Sequence, residues 1–328
     1  MLIKYLFVIP ISFLLGMVFI GLFRRLTLKH KVLIPQGVSL IGGISIGLAF
    51  LLTCFFIYFL YKDLLQGVVG IFIASFIMLV FGIIDDWREL SITAKFLIQI
   101  VVTSLLILFG VKTQIVYIGN LLNIIITFLW VLGITNAFNH LDVLDGLAGG
   151  IAMIISLAFF VISFFNSEID VAILTLVLSG AILSFLLYNW PPAKIYMGNA
   201  GSHFLGFVLA VVALAISYAP LERKIALLSP LLILGFPIFD TGFVILVRIC
   251  KKKLPFKKSR DHLALRFLAL GYSKKKTLLI MLGWGLFFSL SGVILSQVSN
   301  TFGIIIVAFV VLVSLLLFKK MSRITIDE

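Results

Sequence analysis

Eleven apolar stretches, near residues 2–23, 38–61, 66–84, 96–110, 121–135, 147–166, 171–188, 203–219, 225–249, 278–297 and 302–318, dominate the chain. A helix needs about 20 apolar residues to cross the hydrocarbon core of a bilayer, and most of these stretches reach that length. They predict an all-α polytopic integral membrane protein with ten or eleven transmembrane helices, built as one membrane-embedded domain over residues 1–328. The fourth and fifth stretches are short, so either they borrow residues from their flanks or one does not cross. A water-soluble globule is excluded, because 12% charged residues cannot coat the surface of a 36.4 kDa chain that is 62% hydrophobic.

A net charge of +13 would suit a nucleic-acid partner, but the basic residues cluster between the apolar runs. With the amino terminus outside, the connections 24–37, 85–95, 136–146, 189–202 and 250–277 and the tail 319–328 face the cytoplasm and hold 20 of the 26 Lys and Arg residues. That bias is the positive-inside rule, and it predicts an inner-membrane protein whose polar connections face the cytoplasm. The first run, Leu2 to Phe23, has no small-residue cleavage site and is expected to remain as a span. Cys54 and Cys250 stand far apart without redox or zinc spacing and are read as small buried residues. Ionisable residues inside the spans are almost confined to Asp240, which argues against a transporter, since transport needs polar groups along a mid-membrane path.

Chemistry concentrates in four of the inner connections. GIIDDWRELSITAK, 82–95, ends an apolar run on two adjacent carboxylates, Asp85 and Asp86, with Lys95 downstream. Such a pair repels itself unless a cation or proton is near, although a solvated helix end would read the same way. TNAFNHLDVLDGLAGG, 135–150, sets Asn136, Asn139, Asp142 and Asp145 at steps of three. Four oxygen-bearing side chains with no basic residue among them suit a hard cation such as Mg²⁺ or the donors of a nucleobase. In YNWPPAKIYMGNAGSHFLGF, 188–207, small residues around Asn199 precede a span, where backbone amides and a helix start favour phosphate. SRDHLALRF, 259–267, offers Arg260, His262 and Arg266 to phosphate oxygens, or serves only as a basic anchor. His30, His140 and His203 read as local hydrogen-bonding residues rather than ligands.

In order and spacing, these motifs resemble the polyprenyl-phosphate N-acetylhexosamine-1-phosphate transferases of glycosyltransferase family 4. The likeness runs over nearly the whole chain. It implies transfer of an N-acetylhexosamine phosphate from a UDP-sugar to undecaprenyl phosphate, with Mg²⁺ as cofactor and release of UMP. The segment GFPIFDTGFVILVR, 235–248, looks like the branch that starts O-antigen, common-antigen or teichoic acid synthesis. UDP-GlcNAc is therefore the expected donor, and a phospho-MurNAc-pentapeptide transferase is the alternative. A homodimer is left open.

Residue by residue, the resemblance implies catalytic roles for Asp85, Asp86, Asp142 and His262. It implies metal positions at Asn139 and Asn199, a diphosphate contact at Lys95, a uracil contact at Asp145, and substrate contacts at Arg260 and Arg266. Three positions depart from the family pattern: Asn199 stands for a usual Asp, Ala264 and Leu265 for later histidines of the loop, and Val143 for a glycine. These departures admit a rival, a lipid-carrier-binding member without turnover.

Overall fold

The computed structural model describes residues 7–30, 33–34, 37–60, 68–218, 222–254 and 261–324. They form thirteen α-helices: α1 (Val8–His30), α2 (Gly42–Leu60), α3 (Val69–Trp87), α4 (Ile92–Leu108), α5 (Gly119–Leu141), α6 (Leu147–Phe165), α7 (Ile169–Asn189), α8 (Gly198–Ala215), α9 (Ser229–Ile233), α10 (Gly235–Cys250), α11 (Leu263–Ala269), α12 (Lys274–Gln297) and α13 (Asn300–Ser322). Among these residues there is no strand. The isolated bridge Ser39–Ile195 is the nearest approach to one. This follows from the solvent, since lipid offers backbone groups no partner and a helix satisfies them internally.

Nine of the described helices are long and apolar enough to span, and a tenth span is formed if the turn and helix Lys224–Ile233 are joined to α10 across a 70° bend. The two short stretches of the sequence resolve differently. α5 takes in flanking residues and reaches 23 residues, whereas α4 stops at 17. Side-chain caps set two of the helix starts: Ser91 accepts from the Ala94 amide and Ser273 from the Lys276 amide.

Burial orders the bundle. α7 and α8 are 78% buried over their apolar windows and form its centre, while α13 is only 17% buried and faces lipid. Hydrocarbon is as apolar as leucine, so close packing and hydrogen bonds, rather than the hydrophobic effect, hold such helices together. A Cβ on Gly43 of α2 would lie 2.0 Å from the Gly201 amide nitrogen of α8, and one on Gly82 of α3 would lie 2.4 Å from the Ala200 Cα. These glycines let α8 touch α2 and α3 backbone to backbone. Trp130 of α5 donates to the Ala210 carbonyl of α8 at 3.0 Å. α1 is packed against α7, where the Ser12 hydroxyl donates to the Val177 carbonyl. Cys54 is buried as expected, whereas Cys250, at the end of α10 where the packing opens, is exposed.

Candidate active site

The carboxyl ends of α3, α5, α7 and α10 meet the amino ends of α4, α6, α8 and α11 at one end of the bundle, and the four motifs lie there. Asp85 is buried near the end of α3. Its Oδ1 accepts from the Leu90 amide at 2.9 Å and its Oδ2 from Lys95 Nζ at 2.6 Å. These bonds fold the short α3–α4 connection back on itself, which is why a lysine ten residues downstream reaches the carboxylate.

Asp86 turns the other way. Its two oxygens accept from the amides of Asn199 at 2.7 Å and Ala200 at 2.9 Å. First-turn amides have no partner within their own helix, and the positive end of the helix dipole favours an anion. Gly198 allows this approach: it sits at φ +71°, and a Cβ there would come within 2.5 Å of Asp86 Oδ2.

α5 supplies the second motif. Asn136 donates to the Gln99 side chain of α4 at 2.8 Å. One turn later, Asn139 Nδ2 donates to Asn199 Oδ1 at 3.0 Å and to the Ser202 hydroxyl at 2.9 Å. The polar residues of α5 therefore split between two neighbours. Beyond the helix end, Asp145 accepts from the Ala193 amide at 3.3 Å. Asn189 accepts from the Gly146 amide at 2.8 Å and donates to the Ile195 carbonyl at 2.9 Å, which locks the second motif to the third. Asp142 ends α5 with one edge open to water and protein packed around the rest. The surrounding protein crowds water from its carboxyl, and the neighbouring carboxylates of Asp86 and Asp145 repel its charge, so its pKa is pushed up to about 7.

The fourth motif joins through His262, whose Nδ1 lies 2.8 Å from Asp240 Oδ2, while the Leu263 amide donates to Asp240 Oδ1 at 3.0 Å. The rings of His262 and His140 stack at 6.3 Å, next to Asn139. Thus Asp85, Asp86, Lys95, Asn139, Asp142, Asp145, Asn199 and His262 gather at one end of the bundle.

Of the two arginines expected to contact phosphate, only Arg266 can be placed. Arg260 lies outside the described residues. Arg266 is fully buried: its guanidinium donates to the Asp261 carboxylate at 2.8 Å, the Met321 carbonyl at 2.9 Å and the Ile324 carbonyl. It ties α11 to the end of α13, because every direction a phosphate would need is filled by protein.

His203 also departs from expectation. It is fully buried, and neither ring nitrogen has a hydrogen-bond partner among the described residues. Asp240, the lone acid of its apolar run, and Asn189 were not singled out as site residues. For Asp240 the signal was its charge inside a span, which demands a buried partner. For Asn189 no comparable signal exists.

Residues 68–217, which carry the first three motifs, match the family described as Glycosyl transferase family 4. Over 251 residues the chain is 34% identical to a protein of Bacillus subtilis (strain 168) named probable undecaprenyl-phosphate N-acetylglucosaminyl 1-phosphate transferase, covering 74% of this chain and 70% of that one. The chain belongs to glycosyl transferase family 4. This glycosyl-1-phosphate transferase is also 30% identical over 224 residues to the undecaprenyl-phosphate alpha-N-acetylglucosaminyl 1-phosphate transferase of Thermotoga maritima, covering 67% of this chain and 68% of that one. It is 34% identical over 200 residues to a phospho-N-acetylmuramoyl-pentapeptide-transferase of Listeria monocytogenes, covering 53% of this chain and 61% of that one. The histidine loop around His262 lies beyond the segment that the family model matches, and its place at the site is given by its geometry.

Proposed function

We propose that the transferase moves N-acetylglucosamine 1-phosphate from UDP-GlcNAc to undecaprenyl phosphate as an initiating step of cell-surface polysaccharide synthesis. An oxygen of the lipid phosphate attacks the sugar-linked phosphorus of the diphosphate, and the bond to the bridging oxygen breaks. The products are a lipid-linked sugar diphosphate and UMP. The observation that carries the reading is the convergence of Asp85–Lys95, Asp86–Asn199, Asn139 and Asp142 at one end of the bundle. The names of the Bacillus and Thermotoga relatives support the donor and acceptor. The basic connections at this end support a cytoplasmic orientation in the inner membrane, with UDP-sugar arriving from water and lipid phosphate from the bilayer.

Two anions must approach each other, so charge neutralisation is the main task. Lys95 offers its ammonium to the diphosphate, and Asp85 orients it. His262, with its Nδ1 turned to Asp240, presents its other ring nitrogen as a phosphate donor. Asp145 is the uracil contact. The metal fits the donor chemistry here: the available oxygens are the Asp142 carboxylate and the side-chain amide oxygens of Asn139 and Asn199, the last also accepting from Asn139, and all are hard ligands. Among the described residues no group of three or more His, Cys, Asp or Glu side chains could hold a metal, so a zinc-type site is not what these residues make. Mg²⁺ at these oxygens supplies positive charge to the diphosphate when bound.

The decisive experiment supplies the purified protein with undecaprenyl phosphate, Mg²⁺ and either UDP-GlcNAc or UDP-MurNAc-pentapeptide. UMP release with UDP-GlcNAc is expected. Release only with the pentapeptide donor would favour the activity named for the Listeria relative. Substrate binding without UMP from either donor would make the chain a lipid-carrier-binding protein.

A further inference from the structure

We infer that His203 is a positioning residue that takes over the Asp85 carboxylate when Lys95 leaves it for the substrate diphosphate. His203 follows Asn199 by one turn of α8, on the face turned toward α3 and α5. The other polar side chains of that face are engaged, since Asn139 donates to both Asn199 and Ser202. His203 alone is left over: it is fully buried, its ring packs 5.3 Å from that of Phe81, and both nitrogens lack a partner among the described residues. Its Nε2 stands 3.8 Å from Asp85 Oδ2, the same oxygen that accepts from Lys95 at 2.6 Å.

A buried histidine that served only as core would have its N–H paired, because an unpaired buried donor is costly. Here the acceptor is present but already occupied. Lys95 cannot hold Asp85 and a diphosphate oxygen equally well, and when its ammonium swings to the substrate a buried carboxylate loses its cation. A rotation bringing Nε2–H roughly 1 Å closer makes a hydrogen bond of ordinary length. Asp85 then keeps its orientation and Lys95 is free to act. The charged and titratable groups facing the imidazole are Asp85 of α3 and Lys95 of α4, with His140 of α5 farther out. The arrangement makes the lysine exchangeable between two anions, at no cost in stranded charge.

The proposal rests on the transferase reading for the identity of the incoming anion, and two measurements separate the two. The first needs no substrate: ¹⁵N-histidine spectra of the full chain in nanodiscs, with His203 assigned by its loss in His203→Gln. Removing the competing cation in Lys95→Met, or in Lys95→Gln if the first variant folds poorly, should shift the His203 ring nitrogens to hydrogen-bonded values. A spectrum identical to wild type overturns the proposal. The second is turnover. His203→Leu should lower kcat roughly tenfold to a hundredfold with KM for the UDP-sugar nearly unchanged, and His203→Gln, which keeps a donor, should recover most of it. His203→Leu with wild-type kcat overturns the proposal as well. A wild-type protein that releases no UMP removes the transferase reading only, and the Lys95→Met spectrum still decides the role of His203.

Discussion

Asp86, near the end of α3, closes the amino terminus of α8 by accepting from the backbone amide of Asn199, whose side chain in turn accepts from Asn139. One carboxylate thus fixes the position of an amide oxygen proposed to hold the metal, and it does so through the backbone. Any change that loosens this cap displaces Asn199 without touching it.

Gly198→Ala tests the cap. The added methyl meets the Asp86 carboxylate at 2.5 Å and forces a residue with a Cβ into φ +71°. Loss of about 1–3 kcal/mol is expected from the strain alone, visible as a lower Tm in a fluorescence melt. UMP release should fall further than the melt implies, because Asn199 moves with the cap.

Asn199→Asp restores a negative charge facing Asn139. The side-chain oxygen can still accept from Asn139 Nδ2, so the geometry at 3.0 Å survives. Ligand charge is a main determinant of affinity for hard cations, and the half-saturating Mg²⁺ concentration should fall by roughly tenfold. The readout is UMP release against Mg²⁺ concentration. A loss of activity would mean that the amide is required.

Asp142 predicts a pH signature. Its folded pKa of about 7 lies above the ordinary 3.8, so between these values the folded chain binds more protons than the unfolded one. Without divalent cation, the group's contribution to stability is present at low pH and is lost as pH rises through 7. Melts in EDTA should give a higher Tm at pH 5 than at pH 8 from this group, and Asp142→Asn should flatten the difference. Mg²⁺, which takes the ionised carboxylate, should bind with proton release below pH 7 and more tightly, with little proton release from this group, above it.

Arg266→Met removes donors from the Asp261 carboxylate and from two carbonyls at the end of α13. Breaking a buried pair of this kind typically costs about 3–5 kcal/mol. The value here should fall at the low end, since Lys251 also donates to Asp261 at 2.8 Å. KM for the UDP-sugar should change little if Arg266 is a strut, and a large rise in KM would return it to the substrate.

The spans were legible because length and hydropathy decide membrane insertion before any tertiary contact forms. The bend between Ile233 and Gly235 was not, since an apolar run reads the same straight or bent. Asp85 and Lys95 stood in one motif, but Lys95 was expected on the diphosphate, and only the short connection that returns α4 toward α3 brings it to the carboxylate. His262 and Asp240 could not be, since residues 22 apart on separate elements meet only through packing. The same limit hid the isolation of His203: sequence shows that a histidine is present, whereas its lack of a partner depends on what Lys95 has already taken. Arg266 was misplaced because a basic loop residue and a buried strut have the same letter.

Arg266 joins the histidine loop to the last described helix, which has a bearing on biogenesis. α13 contributes no chemistry and faces lipid along most of its length, yet its carbonyls at Met321 and Ile324 hold the segment that carries His262. A chain emerging from the ribosome places its carboxylates in the membrane early and gains the carbonyl anchor of Arg266 only after α13 has followed. Chains cut short before α13 therefore carry all four motifs but lack the anchor that holds the histidine loop in place.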